Sequence, residues 1–171
     1  MATTPGPTSR LRFRPYRPED LADVSEMFED PHARRFYPEM GDRRHAQRWI
    51  QWNLDGYAAH GFGLWVIEHR LEGWFLGDCG LTYQPVAGDR WVELGYHLQA
   101  RYRGNGYVSE AARACLGHAF GPLGIDRVCS VVDPENTASI RVASRIHDHS
   151  RALVRRGHPP RLLFWSVRPR P

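Results

Sequence analysis

The run Arg101-Tyr-Arg-Gly-Asn-Gly-Tyr107 sets Gly104 and Gly106 among arginine, asparagine and tyrosine, immediately before a helical pattern. Glycine takes positive φ at little cost and lets backbone approach a ligand closely. Successive N–H groups from Arg103 to Tyr107 would then converge on an anion, aided by the positive end of the helix dipole. Such a turn suits a phosphate. The same glycines also serve an ordinary strand-to-helix connection, so the turn alone leaves both readings open. A dinucleotide fingerprint, G-x-G-x-x-G, fits poorly, because Ser109 stands at the third glycine and antiparallel strands precede the turn.

Other reactive residue types carry less. Cys79, Cys115 and Cys129 are odd in number and widely spaced, which suits buried thiols better than a disulfide framework or a zinc site. His147 and His149 form a tempting metal pair but lack further ligands, so they read as exposed loop histidines and no metal is expected. All 23 Lys and Arg residues are arginine, and the absence of lysine excludes a P-loop and any lysine Schiff base in this chain. A net charge of +4 is weak ground for a nucleic-acid partner. With 171 residues, 42% hydrophobic and 25% charged, the chain is sized for one domain. No apolar run approaches a membrane span and no secretory leader is evident, so the expected location is the cytoplasm.

The elements that must position the turn follow from periodicity. Residues 1–10, rich in Thr, Pro and Gly, read as a disordered tail, leaving 11–171 as the domain. An amphipathic helix follows Pro18, with Leu21, Val24, Met27 and Phe28 on one face. A shorter helix or turn closes at Pro38. A second amphipathic helix points Ala46, Trp49, Ile50 and Leu54 inward and ends at Gly61. The period then becomes strand-like in GLWVIEH, WFLGDCGLTYQ and WVELGYHLQ, an antiparallel meander. A helix over about Tyr107–Phe120, a doubly buried strand DRVCSVVD, a helix entered at Pro134 and a last strand RLLFWSV complete the chain. The fold class is mixed α/β, with the strand–helix–strand unit around Arg101 near the middle of its sheet.

With these elements in order, VELGYHLQARYRGNGYVSEAARACLGHAF resembles the first motif of the GNAT N-acetyltransferases, Q/R-x-x-G-x-G/A, and VVDPENTASIRVASR resembles the second. The resemblance runs from about Leu11 to Val167 and is nearest the ribosomal-protein N-terminal acetyltransferase branch. It implies a mostly antiparallel sheet whose fourth and fifth strands splay apart in parallel to take acetyl-CoA. Carried over, Tyr96 to Leu98 would pair with the pantetheine arm. The turn Arg103, Gly104, Asn105, Gly106, Tyr107 and Val108 would hold the diphosphate, and Asn136 would face the cofactor. A backbone N–H near Leu98 would polarise the thioester carbonyl.

The resemblance also implies an amine acceptor, with Glu93 as base through a water and Tyr37 and Trp65 on the acceptor side. It leaves the acid step open. Many members carry a tyrosine four residues after Ser139, where this chain has Ala143, expected on the Ser139 side of the helix. Ser139 or solvent would then protonate the thiolate. The family's closing glycine is replaced by His147 in RIHDHS. Three readings follow: transfer of acetyl to a primary amine of a protein N-terminus or small molecule, a CoA-binding module with impaired catalysis, and an RNA- or ribosome-binding protein. Monomer and homodimer are both compatible with the sequence.

Overall fold

The computed structural model of the protein describes residues 3–86 and 88–169. Seven strands, β1 (Leu11–Arg14), β2 (Leu64–His69), β3 (Phe75–Val86), β4 (Asp89–Leu98), β5 (Arg127–Val132), β6 (His149–Leu153) and β7 (Arg161–Val167), form one sheet. Its order is β1-β2-β3-β4-β5-β7-β6, and β4–β5 is its parallel pair. Five helices flank it: α1 (Leu21–Glu29), α2 (Pro31–Phe36), α3 (Arg43–His60), α4 (Tyr107–Phe120) and α5 (Thr137–Ile146). Local chemistry sets several starts. Asp30 accepts the N–H groups of His32 and Ala33 ahead of α2, and Asp42 accepts that of His45 ahead of α3.

Period-two alternation sends neighbouring strand residues to opposite helix layers. On one face Trp65, Ile67, Leu81 and Leu94 pack against Ala111, Ala112, Cys115 and Ala119 of α4. On the other, Leu64, Val66 and Phe75 meet Val24, Met27 and Phe28 of α1 and Ala46 and Ile50 of α3. The three cysteines are free and buried.

The decisive feature is where the sheet stops being continuous. β4 pairs with β3 along its whole length, from Asp89 opposite Val86 to Leu98 opposite Gly77. With β5 it keeps only Val92–Val128 and Glu93–Cys129. Beyond Glu93 the two strands diverge, and a cleft opens between them.

Several expectations need correction. Residues 3–10 do not behave as a free tail. The Glu110 carboxylate of α4 accepts hydrogen bonds from the Thr8 hydroxyl, the Ser9 hydroxyl (3.2 Å), the Arg10 N–H (3.1 Å) and Arg10 Nε (2.7 Å). A composition biased to Thr, Pro and Gly gave no hint of that acceptor more than ninety positions away. Met1 and Ala2 lie outside the described residues. The RIHDHS segment is only in part a loop: Arg145 and Ile146 end α5, and the exposed His149 opens β6 and stacks on Trp165, with ring centroids 5.2 Å apart. His147 is only 8% exposed. Its short strand was hidden because four of five β6 residues face solvent and show no apolar alternation.

Candidate active site

The glycine turn has the conformation its sequence requires. Gly104 and Gly106 sit at φ +80° and +78°, and Gly106 is the N-cap of α4. A Cβ on Gly104 would meet no protein atom within 4 Å, so the chain leaves the space over this turn open. Asn105 braces the turn from below, its amide donating to the carbonyls of Tyr102 (3.1 Å) and Arg103 (3.2 Å). The Arg103 guanidinium is occupied with Asp30, one bond being 3.1 Å, and this pairing holds the Asp30 carboxyl down at about 2. Any anion at the turn therefore meets backbone N–H groups rather than this side chain. The Arg10 guanidinium lies over the Tyr107 ring, 4.7 Å from its centroid, and Val108 packs its side chain toward the α4 core.

From the turn the cleft runs back along β4. Ser130 Oγ donates to the Leu94 carbonyl at 2.8 Å, so the backbone groups of Leu94 face β5. The Gln99 N–H, by contrast, bonds the Leu76 carbonyl of β3. Because register with β3 is unbroken, alternation turns the N–H and C=O of Tyr96 and Leu98 toward β5 as well. There the fifth strand has moved away, which leaves a backbone edge inside the protein with no strand partner, where the Leu98 carbonyl takes only a long 3.4 Å bond from Arg103 Nη2. Asn136 and Ser139 close the opposite wall: Asn136 caps α5 by accepting the Ser139 N–H at 3.1 Å, and the Ser139 carbonyl takes the Tyr96 hydroxyl at 3.0 Å.

Two cavities meet across this wall. One, of about 390 Å³, is lined by the glycine turn, Tyr96, Leu98 and the exposed side of α5. The other, of about 420 Å³, is lined by Phe36, Tyr37, Trp49, Trp52, Glu93 and Asp133 among others. Tyr37, Tyr96, His97, Asn136 and Ser139 belong to both. The half-buried ion pair Arg161–Asp133 at 3.2 Å lines the second cavity, and Arg35 pairs with Glu135 at 2.8 Å on the surface.

Glu93 sits at the vertex. The Val131 N–H has lost its strand partner at the splay and donates instead to Glu93 Oε1 at 3.0 Å. Burial pushes the Glu93 carboxyl up to about 7, against the pull of that N–H and of His97. A carboxyl poised near neutrality in a cleft suits proton transfer. Tyr37, pushed up to about 12 chiefly by burial, stays a phenol.

Trp65 does not belong to this site. It is fully buried on the α4 face of β2, edge-on to His118, while its neighbour Leu64 faces the cavity. Alternation along β2 decides this, and an aromatic among apolar residues gives no sign of which face it takes. Ala143 is likewise displaced from the expected position. It packs against Val132 and Phe164 with no exposed surface, whereas Ala138, Arg141 and Val142 line the cofactor-side cavity. A four-residue step rotates about 40° past a full turn, enough to carry it from the cleft wall into the core.

Asp78 and His97 are a further pair in the cleft that no motif marks. His97 Nδ1 lies 2.7 Å from Asp78 Oδ1, and Asp78 Oδ2 accepts the Tyr16 hydroxyl (2.6 Å) and Trp49 Nε1 (3.0 Å). Asp78 is 0% exposed. Its signal was an aspartate inside the otherwise apolar WFLGDCGL, since a charge in a buried strand needs partners.

The sequence profile described as Acetyltransferase (GNAT) domain matches residues 10–147. The chain belongs to the GNAT acetyltransferase family. It is 36% identical to the Bacillus subtilis protein YkkB over 158 residues, 92% of each chain. An acetyltransferase from Agrobacterium tumefaciens superposes with a TM-score of 0.82 at 26% identity, covering 96% of this chain and 95% of that one. A ribosomal L7/L12 alpha-N-protein acetyltransferase solved with coenzyme A shares the fold at a TM-score of 0.76 and 15% identity, over 95% of this chain and 97% of that one. This GNAT chain is thus an acetyltransferase with the mixed, splayed sheet of its family, and acetyl-CoA is the family's co-substrate. Among the described residues, no helix is long and apolar enough to cross a membrane.

Proposed function

We propose that the protein moves the acetyl group of acetyl-CoA to a primary amine by direct attack within a ternary complex. The observation that carries this reading is the edge of β4 without a strand partner, running from the glycine turn to the vertex at Glu93. The pantetheine arm pairs with the Tyr96 and Leu98 backbone as an added strand does. The diphosphate takes the N–H groups of the Arg103–Val108 turn at the start of α4. The Leu98 N–H supports charge on the thioester oxygen as the amine adds. Asn136 and Ser139 hold the far wall.

The amine enters from the aromatic cavity beside Tyr37, Trp49 and Trp52. Glu93 relieves it of the proton that makes it an ammonium, through a water, at the pH where its own carboxylate forms. A small-molecule amine and a protein N-terminus both present the required group. The reading of an impaired CoA-binding module rested on Ala143 and on RIHDHS. The packing of Ala143 in the core and the hydrogen bond between His147 and Ser130 support the active enzyme over that reading.

The test is release of free coenzyme A from acetyl-CoA across a panel of aliphatic amines, aromatic amines, aminosugars and peptide N-termini. Turnover dependent on one amine class is expected. A folded protein that neither binds acetyl-CoA nor releases its thiol with any acceptor overturns the proposal.

A further inference from the structure

Acetylation strips two protons from an ammonium nitrogen. One must leave before attack, and the second leaves as the nitrogen becomes an amide. The departing thiolate needs a proton in the same event. Glu93 accounts for the first, and nothing yet accounts for the transfer of the second.

We propose that His97, oriented by Asp78, carries that second proton from the amine to the coenzyme A sulfur. The proposal rests on the acetyl-transfer reading above. The buried Asp78 side chain accepts the Tyr16 hydroxyl and the Trp49 N–H at Oδ2 and turns Oδ1 to His97 Nδ1 at 2.7 Å, as an acceptor does. Nδ1 therefore carries the hydrogen, which leaves the lone pair of neutral imidazole on Nε2. Among the described residues no protein group hydrogen-bonds Nε2.

The ring is fixed as well as polarised. Tyr37 and Trp49 meet it edge-on, 4.8 Å and 5.3 Å between centroids, and Phe28 lies tilted against it at 5.2 Å. It contacts both cavities, the aromatic one and the one beside the glycine turn. A carrier between an incoming nitrogen and a leaving sulfur has to reach both sides in this way. The titratable groups around it are Asp78 from β3, Glu93 two pleats back on β4, Tyr37 after α2, and Tyr16 through Asp78. Trp49 of α3 and Phe28 of α1 bring no charge.

Other proton donors are poorly placed. Ala143 is core, and a tyrosine there would not reach the cleft. The Tyr96 hydroxyl is committed to the Ser139 carbonyl, and burial holds its phenol well above the ordinary range. Ser139 offers an alcohol, a far weaker acid than an imidazolium.

The step balances. The N–C bond forms as the thioester carbonyl opens, and an N–H bond breaks as Nε2 takes the proton. The C–S bond then breaks, the thiolate takes the proton from Nε2, and His97 returns to its neutral form. The overall change from ammonium and acetyl-CoA is amide, thiol and the one proton that Glu93 passes to water.

The experiment measures single-turnover acetyl transfer by the full chain across neutral and mildly alkaline pH, with the amine found by the panel. His97→Gln keeps an N–H for Asp78 but cannot carry a proton, so its rate falls about 100-fold or more. Acetyl-CoA affinity stays within about threefold, and the limb near pH 7 set by Glu93 remains. Imidazole in solution raises the rate of His97→Ala. Asp78→Asn, a positioning change, lowers kcat by a smaller factor and leaves the amine KM little altered. A His97→Gln rate within about threefold of the parent, a loss confined to the amine KM, or a His97→Ala rate that imidazole leaves unchanged overturns the assignment. If His97→Ala does not fold, His97→Gln alone decides. A parent protein that binds acetyl-CoA yet acetylates no amine defeats the acetyl-transfer reading instead, before any variant is made.

Discussion

Glu93 owes its chemistry to a defect in the sheet. Where β4 and β5 part, a buried N–H needs an acceptor and a carboxylate needs a donor, and each meets the other at 3.0 Å. Desolvation still outweighs that bond and lifts the carboxyl from 4.5 to about 7. The sign of the stability effect follows. The protonated form is favoured in the folded state, so its contribution is complete below pH 4.5 and is lost as pH rises through about 7. Glu93→Gln should therefore gain stability relative to the parent on going from acid to mildly alkaline pH, read by thermal unfolding. Its kcat/KM should also lose the rise centred near pH 7 that the parent shows. A parent and variant with superimposable pH profiles would reduce Glu93 to a structural bond. Glu93 lies within the strand its apolar neighbours announce; its environment is not legible there because it is made by Val131, a residue of another strand.

At the scale of elements, α5 shows why counting residues is not enough. The four-residue interval from Ser139 suggested a shared face, yet packing turns Ala143 onto Val132 and Phe164. Ala143→Tyr and Ala143→Phe should each destabilise the protein by about 1–3 kcal/mol through overpacking. Neither should speed acetyl transfer, and a faster Tyr variant would show that the helix can present a phenol to the cleft after all. The same helix ends at His147, whose two ring nitrogens lie 3.0 Å from Ser130 Oγ and 3.4 Å from Ser166 Oγ. Ser130 gives its proton to the Leu94 carbonyl, so Nε2 must be the donor to Ser130. This chain of bonds ties β4, β5 and β7 together just beyond the last parallel pair.

Burial lowers the His147 imidazole from 6.5 to about 4, against a small opposing effect of Asp148. The stability it contributes is complete above pH 6.5 and drains away as pH falls toward about 4, on the order of 3 kcal/mol at most. His147→Gln should flatten that part of the curve of unfolding free energy against pH. An identical acid slope in the variant would place the acid sensitivity elsewhere.

For the molecule as a whole, the N-terminal segment acts as a strap across the start of α4. Glu110 collects Thr8, Ser9 and Arg10, and Arg10 Nη1 reaches the Asn105 carbonyl of the glycine turn at 2.9 Å. Burial raises the Glu110 carboxyl, but those hydrogen bonds together win and hold it below the usual range. Glu110→Ala should release residues 3–10, seen as faster amide exchange at Thr8 to Leu11, and cost about 1–3 kcal/mol. Because the strap braces the turn, acetyl-CoA binding should weaken a few-fold, by about 1 kcal/mol. Unchanged exchange in this segment would mean that the strap is held by something other than Glu110.

Most elements, though not the exposed strand β6, are legible in the chain alone, because hydrophobic period, caps and glycine positions act within a few residues. The sequence placed α4 at Tyr107–Phe120 and β7 at Arg161–Val167, and its motifs were enough to name the family. It also located the glycine turn, whose positive φ angles are a local demand on residue type. Which residues share the cleft depends on how distant segments pack. Trp65 and Leu64 differ by one position and face opposite layers; Asp78 and His97 are 19 positions apart and share a hydrogen bond. Such choices come from strand register and from the need to pair a buried charge, and both are settled between segments distant in the chain.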